Sequence, residues 1–290
     1  MIKDVYNSLH SRTGIGATAE VRQFAPVEFS GLFMPNPAIV IVRRGSKTIR
    51  VGDDVFHISA GQGVMVNACV TMDSSYELGE DGFDAVWMGF DQSVVEAFHR
   101  RYPPSVTPIR HAVRFEAWSG GMEEAFHNAA VALAAPFVYP EDIARHRMEE
   151  VLLWLERQEL QFSSVRSVSL ANQIRSLIFM EPGIDWSSHV VCERLGLSEA
   201  TMRRRLAQEG HCLRNILTDI RMSTAVFMLQ STGMPVSQIA TAVGYESHSR
   251  FALRFKDRFG FPPTVIRGHQ RPGTNDLPAF MDEDYRAIAE

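Results

Sequence analysis

The sequence predicts an α+β chain in two parts, an amino-terminal antiparallel β domain with helices and a carboxy-terminal all-α domain made of two helix-turn-helix units. Three observations carry this expectation. Short β-branched runs separated by turn residues fill the first third of the chain. From residue 141 onward the apolar period lengthens to that of amphipathic helices. A pattern of helix, glycine turn and helix then occurs twice, with its turn glycines at Gly196 and Gly244.

Taken in order, Ala38 to Val42, Lys47 to Val51, Val55 to Ile58 and Gly63 to Val66 are the strands of the first part. Arg44-Gly45-Ser46, Gly52-Asp53-Asp54 and Ala60-Gly61-Gln62 are the turns between them. Strands this short and this closely spaced build a small antiparallel barrel or double sheet. Phe83 to Phe90 reads as a further strand, after which a helix begins near Asp91. Glu141 to Arg157 carries an apolar stripe at Ala144, Met148, Val151, Leu152 and Leu155. That stripe fits either packing against its own sheet or the interface of a homodimer. Gln161 to Ser167, polar and poor in helix formers, is the linker. The expected divisions are therefore a sensor domain over 1–162, a linker over 163–170, an all-α domain over 171–268 and an acidic tail over 269–290.

In the second unit, Ile239, Ala240 and Val243 form the inner face of a short helix, and Gly244 supplies the positive φ of the turn. Phe251 and Phe255, four apart, give the following helix its buried stripe. His248, Ser249, Arg250, Leu253 and Arg254 are left on outward or flanking faces, where a recognition helix meets a major groove. The first unit repeats the scheme, with Cys192 as the small residue, Gly196 as the turn, and Met202 and Leu206 as the core pair. Between the units, Leu213, Ile216, Leu217, Ile220, Ala225, Met228 and Leu229 mark a long helix able to hold two reading heads at a fixed separation.

Arg221-Met222 with Ala225 and Leu229, then Ile239-Ala240, Val243-Gly244-Tyr245, Phe251, Phe255-Lys256, Phe259-Gly260 and Pro262-Pro263 resemble the signature of the AraC/XylS family of bacterial transcription regulators. The resemblance covers residues 170 to 268. Ser198 to Leu206 and Gln208-Glu209-Gly210 look most like the enteric virulence and acid-resistance activators within it. It implies a cupin-like sensor domain, double-stranded promoter DNA as partner, and activation through contacts with RNA polymerase. Carried over by position, Ala200, Thr201, Arg203 and Arg204 are the groove contacts of the first head. His248, Ser249, Arg250 and Leu253 are those of the second, with Lys256 on a phosphate. Two positions depart from the family: Leu253 stands where many members carry a base-contacting Arg, and Arg250 where an aromatic or small polar residue is usual. Some members of the subgroup respond to fatty acids held between the two domains, which implies a small apolar or carboxylate effector.

Charge is divided in the way this reading requires. The whole chain is net −5, yet residues 171–270 hold 12 Lys and Arg against 8 Asp and Glu, while residues 1–170 hold 15 against 21. The competing class is a cupin-type metal enzyme with an accessory helical domain. A transition-metal triad needs several converging ligands, but His57 is the only histidine between His10 and His99. No nucleophile, phosphate loop or carboxylate pair stands out, so neither a metal, a cofactor nor an enzymatic activity is expected. Cys192 and Cys212 read as small buried hydrophobes, and nothing basic flanks Cys69 in sequence to activate its thiol. Arg22, Arg43, Arg44, Lys47, Arg50 and His57 lie in or beside the strands. They fit either an apolar pocket with one basic anchor or a sheet core filled by its own side chains with the bases outside. With no apolar signal segment and no membrane-length apolar run, the expected location is cytoplasmic.

Overall fold

The computed structural model describes residues 9–103, 106–117, 120–163 and 169–267. Among the described residues the first half contributes ten strands and three helices: β1 (His10–Arg12), β2 (Gly16–Gln23), β3 (Glu28–Met34), β4 (Ala38–Arg44), β5 (Ser46–Val51), β6 (Asp54–Ser59), β7 (Gln62–Val66), β8 (Val70–Glu77), β9 (Phe83–Phe90), α1 (Gln92–Arg101), β10 (Ala112–Glu116), α2 (Met122–Ala134) and α3 (Glu141–Arg157). The second half is helical: α4 (Leu170–Met180), α5 (Ser188–Leu195), α6 (Glu199–Gln208), α7 (Leu213–Ser231), α8 (Val236–Ala242) and α9 (His248–Phe259), closed by a single 3-10 turn at Pro263–Val265.

The strands form two antiparallel sheets, one ordered β1, β2, β9, β4, β7, β10 and the other β3, β8, β5, β6. Among the described residues no ladder joins them, so the arrangement is the open double sheet and not a closed barrel. Side chains alternate across a strand, and β4 shows the consequence. Ile39 and Ile41 face the helices α1 to α3, while Val40 and Val42 face the second sheet with Ile49, Ile58 and Met72. Both faces of β4 are covered, which is why it reads as an uninterrupted apolar run.

Helix α3 spans the expected residues, and Ala144, Met148, Val151, Leu152 and Leu155 are all buried against the first half of the chain itself. The predicted stripe thus packs within the chain, the first of its two readings. At the end of this half, Asn67 in the β7–β8 turn ties down the chain: its Nδ2 donates to the Ile109 carbonyl at 2.7 Å, and the Ser163 amide donates to its Oδ1 at 3.0 Å. Most of the predicted linker, residues 164–168, and the whole acidic tail, residues 269–290, lie outside the described residues.

The two halves share a core. Met222, Ala225, Val226 and Leu229 of α7, together with Phe251 and Phe255 of α9, join the apolar cluster that runs between the sheets. Phe227 meets the Trp87 ring edge-on at 4.9 Å, and Phe29 of β3 packs against Phe259 and Phe261 at 5.3 and 5.6 Å. Polar contacts fix the register: the Phe33 amide donates to Ser223 Oγ at 3.4 Å, and Gln230 Nε2 donates to Gln23 Oε1 at 3.1 Å. No helix among the described residues is long and apolar enough to cross a membrane.

Candidate nucleic-acid interface

Each helix-turn-helix unit is assembled by local rules. Ser187 caps α5 by accepting from the Val190 amide, and Gly196, at φ 64°, ends it in the left-handed conformation that glycine adopts without strain. Ser198 then caps α6 through the Thr201 amide. The second unit uses Gly244, at φ 84°, as its turn and Ser247 as the cap of α9 through the Arg250 amide. In both units the sequence places a serine immediately before the reading helix, which satisfies an otherwise orphaned backbone donor.

Burial fixes which face of each reading helix is free. Met202 and Leu206 of α6 and Phe251 and Phe255 of α9 are buried. Around them, Ala200, Arg203 and Arg204 on α6 and His248, Ser249, Arg250, Leu253, Arg254 and Lys256 on α9 are exposed, while Thr201 is half-buried. Every residue singled out from the sequence for these heads therefore has side-chain surface facing away from the core. Arg203 Nη2 lies 2.9 Å from Glu199 Oε2, an exposed pair one helical turn apart. Such a pair is weak, worth about 0.3–0.5 kcal/mol, so it leaves the guanidinium free to exchange Glu199 for a phosphate or base edge. Leu253 is 61% exposed, an apolar side chain in the middle of a polar face.

Not all the basic residues face outward. Arg258, in the last turn of α9, donates to Asp219 Oδ1 at 3.1 Å and to the Ser30 carbonyl at 2.7 Å, which commits it to the domain junction. Arg267 donates to the carbonyls of Leu229 and Thr232, tying the segment after α9 back to the end of α7. The sequence pattern does not distinguish these arginines from the exposed ones. Only the fold makes their carbonyl partners available, from β3 for Arg258 and from the end of α7 for Arg267.

The six basic candidates near the strands also separate. Arg22 and Arg43 gather around Glu20, Arg44 lies 3.4 Å from Asp81, and Arg50 and His57 are exposed. His57 Nδ1 shares a 2.9 Å hydrogen bond with Thr48 Oγ1. Lys47 alone lies inside, with its Nζ donating to Tyr76 Oη at 3.0 Å. Burial lifts the Tyr76 phenol, but the charge of Lys47 and the hydrogen bonds from Lys47 and its polar neighbours together outweigh it and hold the phenol below its ordinary value. The cysteines differ from expectation in one case. Cys192 is buried, whereas Cys212 is exposed, because it occupies the extended cap position before α7 and precedes the first inward-facing turn. Cys69 is half-buried, and burial pushes its thiol up despite Arg175 nearby. Among the described residues no group of three His, Cys, Asp or Glu gathers that could hold a metal ion.

Comparison with known proteins agrees with both halves of this architecture. Residues 191–269 match the model of a helix-turn-helix domain, and residues 37–164 match that of the ExsA N-terminal regulatory domain. The regulator YdeO of Escherichia coli strain K12 is 32% identical over 104 residues, which is 36% of this chain and 41% of YdeO. The dual regulator Rns of Escherichia coli is 31% identical over 112 residues, 38% of this chain and 42% of Rns. An uncharacterized regulator of Mycobacterium tuberculosis, Rv1395, is 35% identical over 91 residues, 31% of this chain and 26% of Rv1395. The matched segments thus span about a quarter to two fifths of these relatives. In three dimensions the chain superposes on an apo form of ToxT from Vibrio cholerae with a TM-score of 0.60 at 14% identity, covering 88% of this chain and 97% of ToxT. A ToxT structure with a bound unsaturated fatty acid gives 0.56 at 15% identity, covering 85% of this chain and 92% of that one. The chain thus carries an ExsA-type regulatory domain ahead of an AraC-type helix-turn-helix domain, and in both halves it is similar to the AraC-type regulators.

Proposed function

We propose that this chain is a transcription regulator that binds double-stranded promoter DNA through α6 and α9, with its amino-terminal domain as sensor. The observation that carries this reading is the presence of two exposed basic helix faces on one helical frame, each backed by a fully occupied core. Helix α7, with 19 residues, is about 28 Å long at 1.5 Å per residue. That is close to the ~34 Å between successive major grooves on one side of a duplex. Lys256 and Arg254 suit phosphates, where released counterions supply affinity. Arg203 and Arg204 reach guanine edges in the geometry that makes arginine the commonest base reader. Ala200 and Leu253 offer apolar contact to thymine methyl groups, and Thr201, His248, Ser249 and Arg250 complete the two faces.

Contact with RNA polymerase, and hence activation, follows from the family resemblance. The effector we infer is a small apolar carboxylate, supported by Lys47 as the interior cation of the double sheet and by the fatty acid present in ToxT. Such a ligand acts only through its different affinity for DNA-competent and incompetent arrangements, and α7, packed on the sheets, is the element both states must share. Pairing of two copies requires surface outside the α3 stripe, and Phe137, Val138 and Ile143 are the exposed apolar residues beside it.

The reading is tested by retention of genomic duplexes on the purified full-length chain at increasing salt. Binding that falls steeply with salt is expected. A folded protein that retains no duplex at low salt ends the proposal.

A further inference from the structure

The connecting segments of the two heads meet at one side chain. Arg221 is half-buried at the middle of α7. Its Nε donates to the Pro182 carbonyl at 3.1 Å and its Nη2 to the Ile184 carbonyl at 2.9 Å, both in the connection from α4 into the first head. On its other side the guanidinium lies 5.8 Å from the Tyr245 ring centroid, just after the turn of the second head. The bare backbone of Gly244 completes the contact: a Cβ there would fall 2.5 Å from Arg221 Nη2 and 2.9 Å from the Pro182 oxygen. Gly183 abuts the second head as well, since a Cβ on it would lie 3.0 Å from the Ala242 carbonyl oxygen. The connection from α4 to α5 and the turn of the second head therefore touch directly, with the planar fork of Arg221 seated between them.

We propose that Arg221 is a positioning residue that fixes the spacing and angle of the two heads, and through them the half-site spacing the protein accepts. This rests on the DNA-binding reading above. Its donors are directed at protein carbonyls and its face at a protein ring, so it is not among the groups presented to DNA. Once one head is seated, the second binds at an effective concentration set by the stiffness of the connection. Loosening the clasp lowers that concentration and at the same time widens the range of spacings tolerated. A lysine cannot replace the fork, because it offers one compact charge where two carbonyls must be held in a plane.

The test uses the full-length chain and a duplex that the wild-type protein selects from a randomised pool. Two derivatives of that duplex are needed, one with a half-site scrambled and one with a base pair inserted between the half-sites. For Arg221→Gln the expected result is affinity about tenfold or more weaker on the intact duplex, unchanged affinity on the scrambled one, and little further loss on insertion. Arg221→Lys should fall between this and wild type. A general loss of folding does not produce that split, since it weakens intact and scrambled duplexes alike. Should Arg221→Gln fail to fold, Arg221→Lys carries the same comparison. A folded variant that keeps the wild-type penalty for insertion, or loses both duplexes in parallel, overturns the proposal. A wild-type chain that selects no duplex defeats both this proposal and the DNA-binding reading, whereas normal selection with an unaltered spacing penalty defeats this one alone.

Discussion

Glu20 sits in β2 beside Asp84, with Arg22 Nη2 2.6 Å and Arg43 Nη1 3.7 Å from its carboxyl oxygens. Burial and the like charge of Asp84 outweigh the two guanidiniums and push its pKa up to about 7, from an ordinary 4.5. The folded chain thus holds this proton more tightly than the unfolded chain. Its contribution to stability is fully present below pH 4.5 and is lost as pH rises through 7. Glu20→Gln should therefore flatten the decline of unfolding free energy between about pH 5 and pH 8 by roughly 1–3 kcal/mol. Comparing variant with wild type in urea cancels the opposing titration of His127, whose pKa is lowered by burial and by Arg43. An unchanged decline would place the responsible group elsewhere. On the face proposed to meet DNA, Arg203→Ala and Arg204→Ala should each weaken duplex binding by about 1–3 kcal/mol if they read bases. Thermal stability should stay near wild type, because among the described residues the ion pair lost is the exposed one to Glu199. Affinity at wild-type level in both variants would remove them from the interface.

At the scale of elements, what the sequence made legible depended on whether a pattern was local. The bounds of α3, the strand β9 and the inward residues of α8 and α9 follow from the periods of 3.6 and 2 read directly. β2 and β3 escaped that reading because Gly-Ala-Thr-Ala-Glu and Glu-Phe-Ser-Gly have little intrinsic strand preference. Their partners β9 and β8 stabilise them through pairing distant in sequence. In β8 the signal was present but diluted: Val70, Met72, Ser74 and Tyr76 alternate inward, and a serine interrupts the apolar series. The two turns of the heads were legible because a glycine has a specific task there, whereas the exposure of Cys212 depends on a cap geometry that its neighbour Leu213 does not announce. Two positions on α9 test the assignment of its faces. Phe255, fully buried, should cost about 3–5 kcal/mol of stability when replaced by alanine, and Leu253, exposed, no more than about 0.5 kcal/mol. Equal destabilisation in thermal or urea melts would mean that the helix is rotated from the orientation described.

Across the whole molecule, the division into a domain with acidic balance and one with basic balance was visible in the sequence, but the contact between them was not. Phe29, Trp87 and Gln23 lie in strands whose apolar and polar residues look like ordinary sheet positions. Nothing local says that α7 and the segment after α9 cover them. The exposed positions of α6 and α9 were legible as a set, yet the contacts of Arg221, Arg258 and Arg267 were not, since each depends on carbonyls brought close only by the fold. A fragment spanning residues 169–267 loses the cover on Phe227, Phe259 and Phe261, and should melt at a lower temperature than the full chain. Equal melting temperatures would show that the shared core contributes nothing to the stability of the helical half.

Whether two heads on one frame engage one face of a duplex is read out by backbone-cleavage footprinting of the full-length chain on a duplex it selects. Two protected blocks are expected, separated by about one helical turn, roughly 10 base pairs, with Arg203→Ala thinning one block and Arg250→Ala the other. A single protected block that both substitutions affect equally, or protection on opposite faces of the duplex, would exclude this arrangement of the heads.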